Sequence, residues 1–279
     1  MDQKILNKSI NNLLINCAEL NKNDSLLIIA EDSKYGWYDK ETSVAVYNYA
    51  KKKLGLNTEF LIVGEPENNS KNTVEKILDD YDCVIFFARI GDQERFEEPS
   101  SNTKRIMSYA RNINSLCSSF ASTNYLEMIK FKDVINKIIF ESSNIKISCP
   151  LGTELKGEIE KESIDKNKDT SVLRFPVVVP TPILAKTFSG EIVLSGYLTS
   201  TGSKVYKPIS LKIDSPITAN IVNGKINSFY GNKKVVEKVE KHYETVSKFF
   251  NIERNIVHSW HAGLNPGIHY SYSIEDNPD

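Results

Sequence analysis

Two histidines three residues apart, His258 and His261, flank Trp260 in the stretch Asn-Ile-Val-His-Ser-Trp-His-Ala-Gly-Leu-Asn-Pro-Gly, which runs from 255 to 267. Neutral imidazole is the commonest metal-binding side chain, and two at close spacing supply part of a site. A working site needs a third protein ligand, so the spacing leaves open both a metal role and a structural or hydrogen-bonding role. The remaining histidines also lie late in the chain. His242 falls in the apolar arc of an amphipathic helix, where a packed, hydrogen-bonded residue is expected. His269 follows the Asn-Pro-Gly turn alone.

Glu154 and Glu158 are the second group with chemical reach. Four residues apart on a strand, they point to the same side. Such a pair can hold a cation or act as acid and base. The neighbouring Lys156 and Lys161 support another reading, a solvated edge strand. Glu154, Trp260 and Asn265 are the candidate substrate-binding residues. No Gly-x-Ser-x-Gly elbow occurs and no cysteine stands near a histidine in sequence, so no catalytic nucleophile or general base is assigned.

These residues need a scaffold, and composition bounds it. The chain of 279 residues is long for one core and comfortable for two domains. With 35 basic and 36 acidic side chains, it has no basic excess that would point to nucleic acid. The N-terminus is amphipathic and contains acids, unlike a signal peptide, and no window approaches a membrane span. Cys17, Cys83, Cys117 and Cys149 sit far apart in apolar segments with no paired spacing. Buried, reduced thiols of a cytoplasmic protein are therefore expected.

Along the chain, 4–20 carries a helical stripe and Ser25–Ala30 a continuous apolar run suited to a strand covered on both faces. Helix 41–53, strand Glu59–Val63, helix 71–79 and strand Cys83–Ala88 follow. A helix over 102–111, a weaker strand Ile113–Ser118 and a helix over 124–137 complete the pattern. Alternating strands and helices predict a three-layer α/β domain with a parallel sheet over 1–144. The turn after the first strand, 31–39, is acidic and bulky rather than glycine-rich, so a Rossmann-like domain without nucleotide cofactor is expected. That loop and Arg89–Ser100 lie at the carboxyl ends of strands, the edge where ligands collect in open α/β sheets, although wet loops are polar for plainer reasons. From 145 to 279 the pattern is that of a mixed, mainly antiparallel α+β domain. Its strands are Glu191–Leu198, Ile209–Ile213 and Ile217–Val222, and the last turns through Asn223-Gly224 into Lys225–Phe229. Residues 160–171 read as a surface loop and 233–250 as a helix. The prolines of Phe175–Pro182 exclude a central strand or a helix.

With these elements in place, Leu151-Gly-Thr-Glu-Leu155 resembles the Gly-Thr-Asp-Leu element of the aminopeptidase T family of thermophilic metallo-aminopeptidases. Phe175–Pro182 with Ser189–Leu194 is similar to that family's entry into its second domain, and Ser259–Gly267 resembles its Gly-x-Asn-Pro block. The resemblance implies an N-terminal α/β domain, a C-terminal metal-binding domain and a homodimer. It further implies a peptide-cleaving metallohydrolase that activates water between divalent cations such as zinc, cobalt or manganese. The 2,5-dihydroxypyridine dioxygenase branch, holding one non-haem iron through two histidines and a carboxylate, implies an oxygenase instead.

The sequence departs from this pattern in three places. The proline-rich segment lacks the family's ligand glutamate. The ligand position four residues before the block's glycine falls on Ser259, which leaves the flanking His258 and His261 as metal candidates. The chain ends at Asp279 without the family's downstream His-rich, acidic segment, so a truncated chain or a dismantled site is expected. A third reading follows: a non-catalytic protein that binds a peptide, small molecule or partner on the same scaffold.

Overall fold

The computed structural model describes residues 2–66, 77–94, 102–160, 171–200, 206, 208 and 210–268. It is a mixed α/β structure with a five-stranded parallel sheet and a five-stranded antiparallel one. The chain divides into two compact units. The first comprises 1–133, 169–179 and 263–269, and the second 134–168, 180–262 and 270–279. The single boundary expected near 145 does not include these two returns to the first unit.

In the first unit, α1 (Gln3–Asn11) starts at Asp2, whose carboxylate accepts from the amides of Lys4 and Ile5. It continues as a π-helical turn to Cys17. The parallel sheet has the order β2-β1-β3-β4-β7, with β1 at Ser25–Glu31, β2 at Asn57–Val63, β3 at Cys83–Phe87, β4 at Lys104–Ser108 and β7 at Leu173–Phe175. Strands β1 and β3 are buried almost throughout because helices cover both faces. Asp39 caps α2 (Lys40–Asn48) by accepting from the Thr42 amide. The core contains the fully buried Leu13, Leu26, Ile28, Ile85, Phe86 and Phe175, each contributing about 1.5–3 kcal/mol by burial.

The expected helix over 102–111 and strand Ile113–Ser118 are reversed. Residues 104–108 form β4, parallel to β3, and Arg105 is buried within it. Lys104 turns aside to donate to the Ala18 carbonyl and the Glu19 carboxylate. Two adjacent cations imitate the polar face of a helix, and that misleads the periodicity. After β3 comes α3 (Ile90–Glu94); after β4 come α4 (Ile113–Leu116), α5 (Ser119–Ser122) and α6 (Tyr125–Glu141). A reciprocal capping box between Asn112 and Ser115 starts α4, overriding the apolar run that suggests a strand. The prolines behave as expected: β7 is an edge strand and stops at Phe175, before Pro176. Most of the expected helix 71–79 and of the loop 160–171 lies outside the described residues. Among the described residues, no helix is long and apolar enough to cross a membrane.

In the second unit the antiparallel order is β11-β10-β9-β6-β5, with β5 at Asn144–Ser148, β6 at Glu154–Glu158, β9 at Ser189–Thr199, β10 at Ser210–Val222 and β11 at Lys225–Tyr230. The two strands expected over 209–222 are one, with a register irregularity between Ile213 and Ile217 where Pro216 supplies no amide. Asn223 and Gly224 form the hairpin turn with φ of +48° and +71°, the left-handed pair that a two-residue hairpin requires. Helix α7 (Lys233–Phe250) is capped by Asn232 and buries Val235 and Val239 in the core built on this sheet. A two-stranded ribbon pairs β8 (Ile183–Leu184) with β12 (Ser259–Trp260).

Gly190 fixes the junction of β6 and β9. Its φ is +136°, and an added Cβ would lie 2.2 Å from the Glu154 carbonyl oxygen. Gly190→Ala is expected to lower stability by about 1–3 kcal/mol, the usual cost of overpacking. Urea unfolding checks this, and an unchanged midpoint would show that the junction relaxes freely.

Candidate functional site

Ser259–Trp260 forms the ribbon strand β12, and His258 and His261 flank it. Ser259 and Trp260 pair with Leu184 and Ile183, and the Ala185 amide donates to the His258 carbonyl at 3.0 Å. His258 and His261 are both exposed, while Ser259 and Trp260 are half-buried. The Trp260 ring lies 6.0 Å from that of Phe188, and its buried indole Nε1 has no hydrogen-bond partner among the described residues. Among the described residues no group of three His, Cys, Asp or Glu side chains is arranged to hold a metal ion. Among the described residues, the donors do not fit the divalent centre that the resemblance implies. His269 lies outside the described residues. His242 packs beside Tyr206, with ring centroids 5.4 Å apart, and burial pushes its pKa down.

Asn265 belongs with the first unit and acts as a tie. Its amide nitrogen donates to the Phe120 carbonyl at 2.8 Å and the Pro176 carbonyl at 2.6 Å, and its oxygen accepts from the Gly267 amide at 2.7 Å. Both of its side-chain donors are thus committed to backbone. The neighbouring Val178 and Leu264 exchange backbone hydrogen bonds, which joins the two returning segments.

Glu154 and Glu158 both lie exposed on β6, which is an interior strand between β9 and β5 rather than the edge strand of the alternative reading. Lys146 donates to Glu154 at 2.9 Å and holds its carboxyl below the usual range. An open groove of about 780 Å³ runs past Lys146, Lys156, Glu158, Lys186 and Thr187. Cross-strand neighbours place Lys146 opposite Lys156 and Glu154 opposite Glu191, so charges of both signs alternate on this face.

The thiols differ from the expectation of four buried cysteines. Cys17 and Cys83 are buried, Cys117 is intermediate and Cys149 is exposed. Burial pushes the Cys17 thiol up to about 12. The Thr153 hydroxyl and the amides of Thr153, Leu151 and Gly152 hold Cys149 below its ordinary value.

A buried polar cluster lies at the carboxyl edge of the parallel sheet. Glu31, the last residue of β1, is buried and accepts from the Arg89 backbone amide at 3.0 Å and from its Nε at 2.9 Å. Arg89 follows β3, and its Nη2 also lies 3.5 Å from the half-exposed Glu65. The guanidinium carbons of Arg89 and Arg111 lie 4.6 Å and 5.0 Å from the Trp37 ring centroid. The Asp39 amide donates to the Arg111 carbonyl, and Tyr109 donates to Asp92 at 2.9 Å. Both loops were marked by their position in the sequence, but Glu31 with Arg89 was not. The signal was an acid ending an apolar run and an arginine following another.

No protein-family model matches the chain, and no curated protein matches it. Its fold is similar to that of a 2,5-dihydroxypyridine dioxygenase from Pseudomonas putida KT2440, with a TM-score of 0.58 at 12% identity over 94% of this chain and 76% of that one. It is also similar to AmpT from Thermus thermophilus, with a TM-score of 0.52 at 10% identity over 95% of this chain and 78% of that one. At such identities the likeness is one of fold, a distant relationship that agrees with the architecture implied by the sequence blocks.

Two substitutions separate structural from functional roles. Asn265→Ala strands two carbonyls and one amide, and should cost about 1–3 kcal/mol in urea unfolding. An unchanged midpoint would leave Asn265 available for a ligand role. Arg89→Met leaves Glu31 buried without its cation and should cost about 3–5 kcal/mol, with Glu31→Gln in the same chain recovering part of the loss. Absence of that recovery would show that packing, rather than charge, is what matters.

Proposed function

We propose that this chain is a ligand-binding protein, built on the scaffold it shares with AmpT and the dioxygenase, that takes a peptide or small organic molecule without a resident divalent metal. One observation carries the reading: the described histidines and carboxylates do not converge, and the His258–His261 pair straddles an extended strand. Serine at the position where the resemblance places a ligand supports it further, since a neutral hydroxyl is a poor ligand for zinc.

A second reading, metal-dependent hydrolysis of peptides in a homodimer, is favoured by the likeness to AmpT over nearly the whole chain and by the Gly-x-Asn-Pro block. In that case His258 and His261 would contribute donors to a cation. An iron-dependent oxygenase is the corresponding reading from the dioxygenase fold.

Metal analysis with binding separates the three. Protein exposed to zinc, cobalt, manganese or ferrous iron and then gel-filtered should retain substoichiometric metal and release no N-terminal residues from short peptides. The metal-free protein should bind members of a short-peptide library saturably in calorimetry. One metal per chain, lost in His261→Ala and accompanied by peptide cleavage or by oxygen uptake, would overturn the proposal.

A further inference from the structure

Asn223-Gly224 is the single Asn-Gly pair in the sequence. Such a pair carries a chemistry of its own. The backbone nitrogen that follows an asparagine can attack the side-chain amide carbon, and glycine, having no Cβ, leaves the approach open. The new carbon–nitrogen bond closes a five-membered imide, and the old one breaks to release ammonia. Water then opens the imide at either carbonyl, giving aspartate or an isoaspartate whose backbone runs through the former side chain. One water is consumed and one ammonia released, with no oxidant or reductant.

In the folded chain the attacking and attacked groups are kept apart. The Asn223 side chain is exposed, but Gly224 is buried. The Gly224 nitrogen donates its proton to the Phe188 carbonyl at 2.9 Å, a good hydrogen bond, and must lose that proton before it attacks. The Asn223 amide donates to the Ser189 hydroxyl at 3.0 Å, and that hydroxyl donates to the Asn223 side-chain oxygen at 3.4 Å. The Gly224 carbonyl accepts from the Val257 amide at 2.8 Å. A Cβ at Gly224 would lie 2.7 Å from the Ala185 carbonyl oxygen, so the turn has little room to swing. Segments 185–189, 223–225 and 255–257 thus meet at one corner of the second unit.

We propose that Asn223 is a deamidation site that the folded β10–β11 turn holds closed and that opening of this corner releases. The isoaspartyl product lengthens the backbone of a two-residue turn whose length sets strand register. A chain modified while open therefore does not rebuild the β10–β11 pairing as it was. The corner converts a transient local opening into a permanent covalent mark.

Purified protein is held in mildly alkaline buffer, native or in urea, and the peptide carrying residue 223 is followed by mass spectrometry for conversion of amide to acid. Native protein should deamidate about tenfold or more slowly than the unfolded chain. Hydrogen exchange of the Gly224 amide is measured alongside. Ser189→Ala removes both side-chain bonds to Asn223. It should raise native deamidation and Gly224 exchange by the same factor while leaving the rate in urea unchanged. Equal rates in native and unfolded protein would overturn the proposal, as would an unfolded chain that keeps Asn223 intact. So would native deamidation that stays slow while the Gly224 amide exchanges faster.

Discussion

The buried carboxylate of Glu31 is the constraint around which the first unit is arranged. An ionised group removed from water must be compensated fully, since an unpaired buried charge costs several kcal/mol. Compensation comes from the backbone amide and guanidinium of Arg89 at the end of the next strand. That requirement fixes how β1 and β3 end relative to one another. It also orients a cation against Trp37 and draws the loop after β1 toward the loop after β4. Tyr38 reinforces the same arrangement by donating to the Ser108 carbonyl at the end of β4. Apolar burial makes the sheet stable, while this pair specifies the geometry of its carboxyl edge.

Much of the fold was legible because continuous apolar runs and turn chemistry are strong signals. Strands β1 to β3 were visible as short apolar runs, and the β10–β11 hairpin was visible in Asn223-Gly224. The failures have physical causes. Strand β4 was hidden by Lys104 and Arg105, adjacent cations of which Lys104 is held by the Ala18 carbonyl and the Glu19 carboxylate, contacts that no local pattern displays. The helix at 113–116 was hidden because it is one short turn started by the reciprocal capping bonds of Asn112 and Ser115, which leave no apolar stripe to read. The return of Leu173–Phe175 to the first sheet depends on pairing with Ile106–Ser108, a long-range choice that hydropathy does not encode.

The candidate site was legible only in part, for a related reason. Spacing identifies which residues are near each other in sequence, but the face each presents depends on local backbone. Glu154 looked like half of a carboxylate pair with Glu158, yet Lys146 on the adjacent strand neutralises it. Asn265 looked like a ligand contact, yet it holds three backbone segments. Arg89 and Glu31, 58 positions apart, carried no motif at all and meet only because a parallel sheet aligns successive carboxyl ends.

Stability and chemistry draw on different residues in the 255–267 stretch. Asn265 through its side-chain amide and Leu264 through its backbone tie segments of the first unit, and Trp260 packs against Phe188 in the second. His258 and His261 are both exposed. Ser259 fills its ribbon position without requiring a charge partner, as a glutamate there would. A chain can therefore keep this scaffold while the donor set drifts, because the energy that selects the fold does not select the ligands. Likeness to solved structures at 10–12% identity accordingly speaks for the fold alone. What a member of this fold does must then be read from its own side chains and the partners that hold them.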